Sequence, residues 1–239
     1  MKRFGLIGHP LGHSFSKTYF TEKFEQLSID ACYENYDLTN INQLPQLIKQ
    51  HPGLFGFNVT IPYKETILPF LDEIDPTAEA LGAVNTVKVL PGGKLRGFNT
   101  DVIGIEKSLC INVNPALILG TGGASKAIQH VLRKKNIPFH LVSRNPLKGH
   151  FTYVSLTPED IGKHLFIINA TPVGMTPKID EAPLIPYEAL TSQHVLFDLI
   201  YNPEETLFLK HGKEHGAQTI NGLTMLHAQA EASWEIWNQ

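Results

Sequence analysis

The segment Ala116-Leu117-Ile118-Leu119-Gly120-Thr121-Gly122-Gly123-Ala124-Ser125 orders its residue types as a dinucleotide phosphate requires. The apolar run predicts a buried strand, the glycines let the backbone turn sharply, and a helix-compatible stretch follows at 126–135. Free N–H groups and the positive end of that helix then face a pyrophosphate. Gly120, Thr121, Gly122, Gly123 and Ala124 are therefore candidate cofactor residues. The spacing is GxGGAS rather than the full GxGxxG, and a plain strand-turn-helix unit also satisfies it. The next apolar run, Phe139-His140-Leu141-Val142, ends in Ser143-Arg144-Asn145, with Lys148 four residues beyond the arginine. An acid at this point suits the ribose 2′-hydroxyl of NAD, whereas an arginine suits a 2′-phosphate. Ser143, Arg144 and Lys148 thus favour NADP, the alternative being a solvated arginine at a strand end.

A second polar group falls in the first hundred residues. Ser14 and Ser16 follow a first strand and its turn, Asn58, Thr60 and Lys64 follow a third, and Asn85-Thr86 and Asn99-Thr100-Asp101 bracket a hairpin. Ligands of α/β sheets bind beyond the carboxyl ends of strands. A set rich in Ser, Thr and Asn, with one Lys and one Asp, suits a small hydroxylated ring better than a phosphorylated substrate. Each residue has a plainer reading. Serine and asparagine near turns cap or shape the backbone, Lys64 can be a solvated lysine at a helix start, and Asp101 can cap the helix after it.

The elements that position these groups alternate. Strands are predicted over 3–7, 32–36 and 56–59, with helices over 16–27, 41–50 and 77–81. Pro91-Gly92-Gly93 between 86–90 and 94–98 is a hairpin signal, and 100–109 has helical spacing. Further strands at 116–119, 139–142, 165–169 and 195–199, with helices between, fit the crossovers of a parallel sheet. One amphipathic helix covers 223–237. The fold class is α/β, two lobes split near Asp101, with the cofactor in the second and the chemistry expected in the cleft between them.

Composition excludes other classes. With 239 residues, 42% hydrophobic and 18% charged, the chain is an ordinary globular protein of one or two domains. A net charge of -3 gives no footprint for nucleic acid or an acidic membrane, and no apolar run approaches the roughly 20 residues of a membrane helix. The first ten residues are too broken by Gly and Pro for a signal peptide. Cys32 and Cys110 lack metal-ligand spacing and are expected to be buried free thiols in a reducing cytoplasm. His9, His13 and His227 are read as structural, and no metal role is evident.

Ordered motifs along nearly the whole chain resemble the shikimate dehydrogenase family. They are Ile7 through Ser16 (IGHPLGHSFS), Asn58 through Lys64 (NVTIPYK), Gly82 through Thr86 (GAVNT), Gly97 through Asp101 (GFNTD), the glycine turn, Ile168 through Met175 (INATPVGM), Asp198 through Tyr201 (DLIY) and Gly222 through Ala230 (GLTMLHAQA). The resemblance implies reversible NADPH-dependent reduction of 3-dehydroshikimate to shikimate on the route to aromatic amino acids. It implies that Ser14, Ser16 and Tyr201 hold the carboxylate, and that Asn58, Thr60, Asn85, Asp101 and Gln229 bind ring hydroxyls. It also implies that Lys64 and Asp101 form the acid/base pair, and that Leu199, Gly222 and Met225 shape the nicotinamide pocket. It implies a substrate domain at 1–101, a Rossmann-like NADP domain at 102–219, and a helix at 220–239 returning to the substrate domain. Hydride addition builds negative charge on a ketone oxygen, so a proton donor beside it fits the chemistry.

The chain departs from the family pattern at the cofactor clamp, where Asn-Arg-Thr with a further Arg is usual, and around Phe15 and Lys17, where Lys and Pro are frequent. It ends soon after Gln229, and a C-terminal helix of the family is expected to be missing. The rival readings are a quinate/shikimate dehydrogenase with looser NAD/NADP use and a non-catalytic NADP-binding regulator. A folate-type methylene dehydrogenase lacks the serine pair and the Gln229 motif.

Overall fold

Runs of aliphatic and aromatic residues, punctuated by Gly, Pro and Asn, build two separate sheets in the computed structural model, which describes residues 1–12, 14–109 and 115–239. His13 and residues 110–114, with Cys110, lie outside the described residues. The chain divides into two compact units, Met1–Thr100 with Ala230–Gln239, and Asp101–Gln229.

The first unit contains β1 (Lys2–Gly8), α1 (Phe15–Gln26), β2 (Ala31–Asp37), α2 (Leu44–Gln50), β3 (Leu54–Val59), β4 (Glu73–Ile74), α3 (Pro76–Leu81), β5 (Thr86–Val89) and β6 (Leu95–Phe98). Its sheet has the order β2-β1-β3-β5-β6-β4. β1 runs parallel to β2 and β3, whereas β5 pairs antiparallel with β3 and β6. The predicted hairpin is present, and its turn needs glycine: Gly92 and Gly93 both have φ near +80° (82 and 81), where a Cβ is strained. The chain leaves β1 toward β2 on one side and returns as β3 on the other. Their carboxyl ends therefore part around a crevice, the usual ligand position in such sheets.

Five consecutive buried residues in β1 mean that both faces of this sheet are covered. One face packs Ile7, Phe57, Val59 and Val87 against Leu44 and Leu47 of α2. The other packs Phe4 against Phe20, Phe24 and Tyr33, and the cluster is closed by Trp237 of the last helix, α8 (Leu223–Asn238). The Trp237 indole N–H donates to the Val87 carbonyl at 2.9 Å, so its one polar group is satisfied in the core. A Cβ on Gly56 would lie 2.3 Å from the indole nitrogen, so only glycine admits this ring. The helix expected over 41–50 is two elements, a 3-10 turn at Ile41–Gln43 and then α2. Pro45 has no N–H for the bond back to Ile41, and the Asn40 side chain caps the first turn instead.

The second unit contains α4 (Asp101–Ser108), β7 (Ala116–Leu119), α5 (Gly123–Lys134), β8 (Phe139–Val142), α6 (Pro158–Lys163), β9 (Phe166–Asn169), β10 (Val195–Asp198), α7 (Leu207–Glu214), β11 (Gln218–Ile220) and the first turns of α8. Its five strands are all parallel, in the order β11-β10-β9-β7-β8. β7, β9 and β10 are buried at every position, as a sheet covered on both faces demands. The chain moves from β7 outward to β8 and then across to β9, which sets a switch point at the carboxyl ends of β7 and β9. α5 starts at Gly123, three residues before the expected start, so the glycine turn is itself the helix N-terminus.

Candidate functional site

In the first unit the sequence-predicted residues gather at the carboxyl edge of the sheet. Ser14 is the N-cap of α1, its hydroxyl accepting from the Lys17 N–H at 3.3 Å. Ser16, the second residue of the helix, hydrogen-bonds the Tyr33 hydroxyl, which burial pushes well above the ordinary phenol range. Tyr33 in turn donates to Asn58 Oδ1 at 2.8 Å. The Asn58 amide nitrogen donates to Ser233 Oγ at 2.9 Å, Thr86 Oγ1 at 3.1 Å and the Asn85 carbonyl at 3.3 Å. Asn85 Oδ1 accepts the Thr100 N–H at 2.7 Å and lies 3.2 Å from the hydroxyls of Thr86 and Thr100. Asn85, Thr86, Thr100 and Ser233 are all buried. One hydrogen-bonded network therefore joins Ser16, Asn58 and Asn85.

Lys64 and Thr60 belong to the turns after β3. Lys64 is half-buried in a turn, not at the start of an α-helix, and its carbonyl accepts the Val84 N–H at 2.7 Å. This bond fixes the lysine backbone beside Asn85. The Thr60 N–H donates to Ile7 at 2.9 Å, and a Cβ on Gly8 would come within 2.5 Å of the Thr60 methyl, so glycine lets β1 approach that turn. Asn99 donates to the Ala83 carbonyl at 2.9 Å, which ties the two hairpin ends together. His9 bonds Asp37, whose carboxyl is held below its ordinary range by that bond and by the Leu11 N–H. Cys32 is half-buried rather than buried, and desolvation raises its thiol.

Asp101, Tyr201 and Gln229 fall in the second unit, with the glycine turn. Asp101 is the first residue of α4 and is buried, and Tyr201 and Gln229 are half-buried. Burial raises the Tyr201 hydroxyl. Gly120 has φ +104, and a Cβ there would meet the Thr171 methyl at 2.8 Å across the β7/β9 crevice. Gly122, the N-cap of α5, has no side chain to answer the first helical N–H groups, and nothing lies within 4 Å of a Cβ built on Gly122 or Gly123. Thr121 reaches Ser143 at 3.4 Å. Arg144 and Lys148 are exposed on the loop after β8. The Ser143 hydroxyl, accepting the Asn145 N–H at 3.1 Å, and a Ser143 to Phe151 backbone bond at 2.9 Å close that loop. Helix-end N–H groups in a tight glycine turn, with two cations on the adjacent strand end, fit a dinucleotide carrying a 2′-phosphate.

At the end of β10, a Cβ on Gly222 would sit 2.1 Å from the Leu199 carbonyl oxygen. Glycine is what allows the two backbones to touch, and the Gly222 N–H bonds Ile200 at 3.0 Å. Met225 packs on Gly104 of α4, where a Cβ would meet its carbonyl oxygen at 2.6 Å. Beneath Leu199 lies Asp198, fully buried, whose carboxylate accepts from Thr206 at 2.6 Å, the Ile200 N–H at 3.0 Å and Asn169 at 3.1 Å. Burial raises it to about 6 in spite of those three donors. Tyr33, Ser233 and Asp198 carry no role in the sequence reading. Among the described residues no cluster of His, Cys, Asp and Glu could hold a metal, and no helix is long and apolar enough to cross a membrane.

A family profile described as the shikimate dehydrogenase substrate binding domain matches residues 6–87. The shikimate dehydrogenase (NADP(+)) of Methanococcus vannielii is 40% identical over 98% of this chain and 90% of its own length. The solved shikimate 5-dehydrogenase of Thermus thermophilus, in complex with NADP(H) and shikimate, is 33% identical with a TM-score of 0.88, covering 99% of this chain and 93% of that one. The quinate dehydrogenase of Corynebacterium glutamicum, in complex with NAD, has the same TM-score of 0.88 at 25% identity, over 99% of this chain and 93% of that one.

Proposed function

This chain belongs to the shikimate dehydrogenase family, and from that membership we propose that it reversibly reduces 3-dehydroshikimate to shikimate with NADPH. Bound NADPH supplies the hydride that reaches the ketone carbon. Lys64 gives the proton. As negative charge grows on the ketone oxygen, its ammonium donates there, and in the reverse direction the neutral amine takes the hydroxyl proton back. Asp101 orients the lysine and the reacting hydroxyl. Ser14, Ser16 and Tyr201 hold the substrate carboxylate, and Asn58, Thr60, Asn85 and Gln229 bind the ring hydroxyls. The backbone of Gly120 to Ala124 takes the pyrophosphate, Ser143, Arg144 and Lys148 take the 2′-phosphate, and Leu199, Gly222 and Met225 frame the nicotinamide. Cytoplasmic location is part of the same proposal, supported by the free thiol of Cys32.

One observation carries the catalytic assignment. The Lys64 carbonyl is tied to Val84, and the neighbouring Asn85 side chain is tied to the Thr100 N–H, each at 2.7 Å. These two bonds hold the Lys64 backbone and the residue before Asp101 to one segment, Val84-Asn85, of the first unit. The test is loss of NADPH absorbance on adding 3-dehydroshikimate, followed by kcat/KM for shikimate and quinate with NADP and with NAD. Shikimate with NADP is the preferred pair; no turnover with 3-dehydroshikimate overturns the reading, and preference for quinate with NAD moves the chain to the neighbouring activity.

A further inference from the structure

We propose that Ser233, on the last helix and 175 residues from its partner, is a positioning residue that fixes which end of the Asn58 amide the substrate meets. The proposal rests on the reading that Asn58 binds a ring hydroxyl. An asparagine amide has two N–H donors and two oxygen lone pairs. In Asn58 the nitrogen faces Ser233 at 2.9 Å, Thr86 at 3.1 Å and the Asn85 carbonyl at 3.3 Å. Both donors are thus consumed inside the protein. On the oxygen, one lone pair takes the Tyr33 hydroxyl at 2.8 Å. What remains is a single acceptor site on a half-buried side chain. A ligand hydroxyl must donate to it.

The polarity is enforced from both ends. The Asn85 carbonyl only accepts, so the nitrogen belongs on its side. At the other end the Tyr33 hydroxyl donates to Asn58 Oδ1 at 2.8 Å, so the oxygen belongs on that side. Ser233 takes the shortest of the three bonds on the nitrogen, and it is fully buried, so no water replaces its hydroxyl. Without it the amide keeps only its two longer contacts, and the barrier to presenting an N–H toward the ligand falls.

The experiment compares Ser233→Ala, Asn58→Ala and the double variant by steady-state kinetics, with melting temperature and the KM for NADP measured alongside. Ser233→Ala is expected to lower kcat/KM for shikimate about threefold to tenfold, the net worth of one hydrogen bond, mainly through KM and with the KM for NADP unchanged. In the Asn58→Ala background the same substitution adds nothing. A loss of equal size in that background, or a parallel rise in the KM for NADP, shows that Ser233 only packs the helix and overturns the proposal. Should Ser233→Ala fail to fold, Tyr33→Phe removes the bond at the other end of the same amide, with the same required silence in the Asn58→Ala background. A wild-type enzyme that does not turn over shikimate defeats the functional reading instead. An active wild type with an unchanged Ser233→Ala variant defeats this inference alone.

Discussion

Asp198→Asn should make the protein more stable at neutral pH, and by an amount that grows with pH. The Asp198 carboxyl has no exposed surface, and desolvation lifts it from 3.8 to about 6 against the pull of Thr206, Ile200 and Asn169. Below the unfolded value both states are protonated and the group contributes nothing. Between about pH 4 and 6 the folded protein keeps a proton that the unfolded chain has released, so stability falls as pH rises through this window. Above the folded value the penalty is complete, about 3 kcal/mol at roughly 1.4 kcal/mol per pH unit. Asparagine keeps the shape and an oxygen for the Ile200 N–H, and the Thr206 hydroxyl can reverse to accept from the new amide. The measurement is urea unfolding of both proteins at pH 4, 5, 6 and 7 at one ionic strength. Carboxylates held low, Asp37 and Asp160, pull stability the other way with pH, but they are shared and cancel in the difference. The variant should gain about 3 kcal/mol on the wild type between pH 4 and 7. Parallel curves would refute the reasoning, because they would mean that Asp198 titrates alike in the folded and unfolded chains.

Lys64→Ala should cut turnover by about 10²–10⁴-fold, the usual share of a positioned acid/base, while calorimetry finds shikimate binding within a modest factor; equal losses in both would make the lysine a binding group. Arg144→Ala should raise the KM for NADPH about tenfold or more by removing a charge-assisted phosphate contact and leave the KM for NADH unchanged, and a uniform effect on both cofactors would remove the 2′-phosphate role. Gly222→Ala forces a Cβ to within 2.1 Å of the Leu199 oxygen; the backbone must move, and kcat/KM for NADPH should drop about 10²-fold, so wild-type kinetics would separate Leu199 from the nicotinamide pocket. Trp237→Ala empties the centre of the aromatic cluster and removes the indole bond to the Val87 carbonyl, at a cost of about 3–5 kcal/mol by denaturant unfolding; a loss under about 1 kcal/mol would mean the helix end is not part of that core.

What could be read from the residues, and what could not, follows from how far each signal reaches along the chain. β7, β9 and β10 are buried throughout, so their apolar runs stand out. β4 and β11 are two and three residues long, with no buried residue, and have too little pattern to register. The six-residue α6 rests on a capping box between Thr157 and Asp160 rather than on periodicity. The site divides in the same way. Ser14, Asn58 and Thr60 are legible because they sit at the ends of predicted strands, Asn85 because it opens a predicted hairpin, and the glycine turn because its order alone implies an anion. Tyr33 is hidden inside a strand, since its partner Asn58 is 25 residues away, and Asp198 is held by a side chain of the neighbouring strand, the α7 N-cap and its own turn. Ser233 is hidden most deeply, because a lone serine in a helix is locally unremarked and its partners belong to β3, β5 and the residues after β6. A local clue was nonetheless present. Gln229, Ser233 and Trp237 recur every four residues and so share one face of α8. A face that carries a buried tryptophan is a core face, and a polar residue in line with it must find a hydrogen bond or cost stability. On the apolar stripe of the last helix a hydroxyl is therefore tolerated only because the opposite sheet answers it.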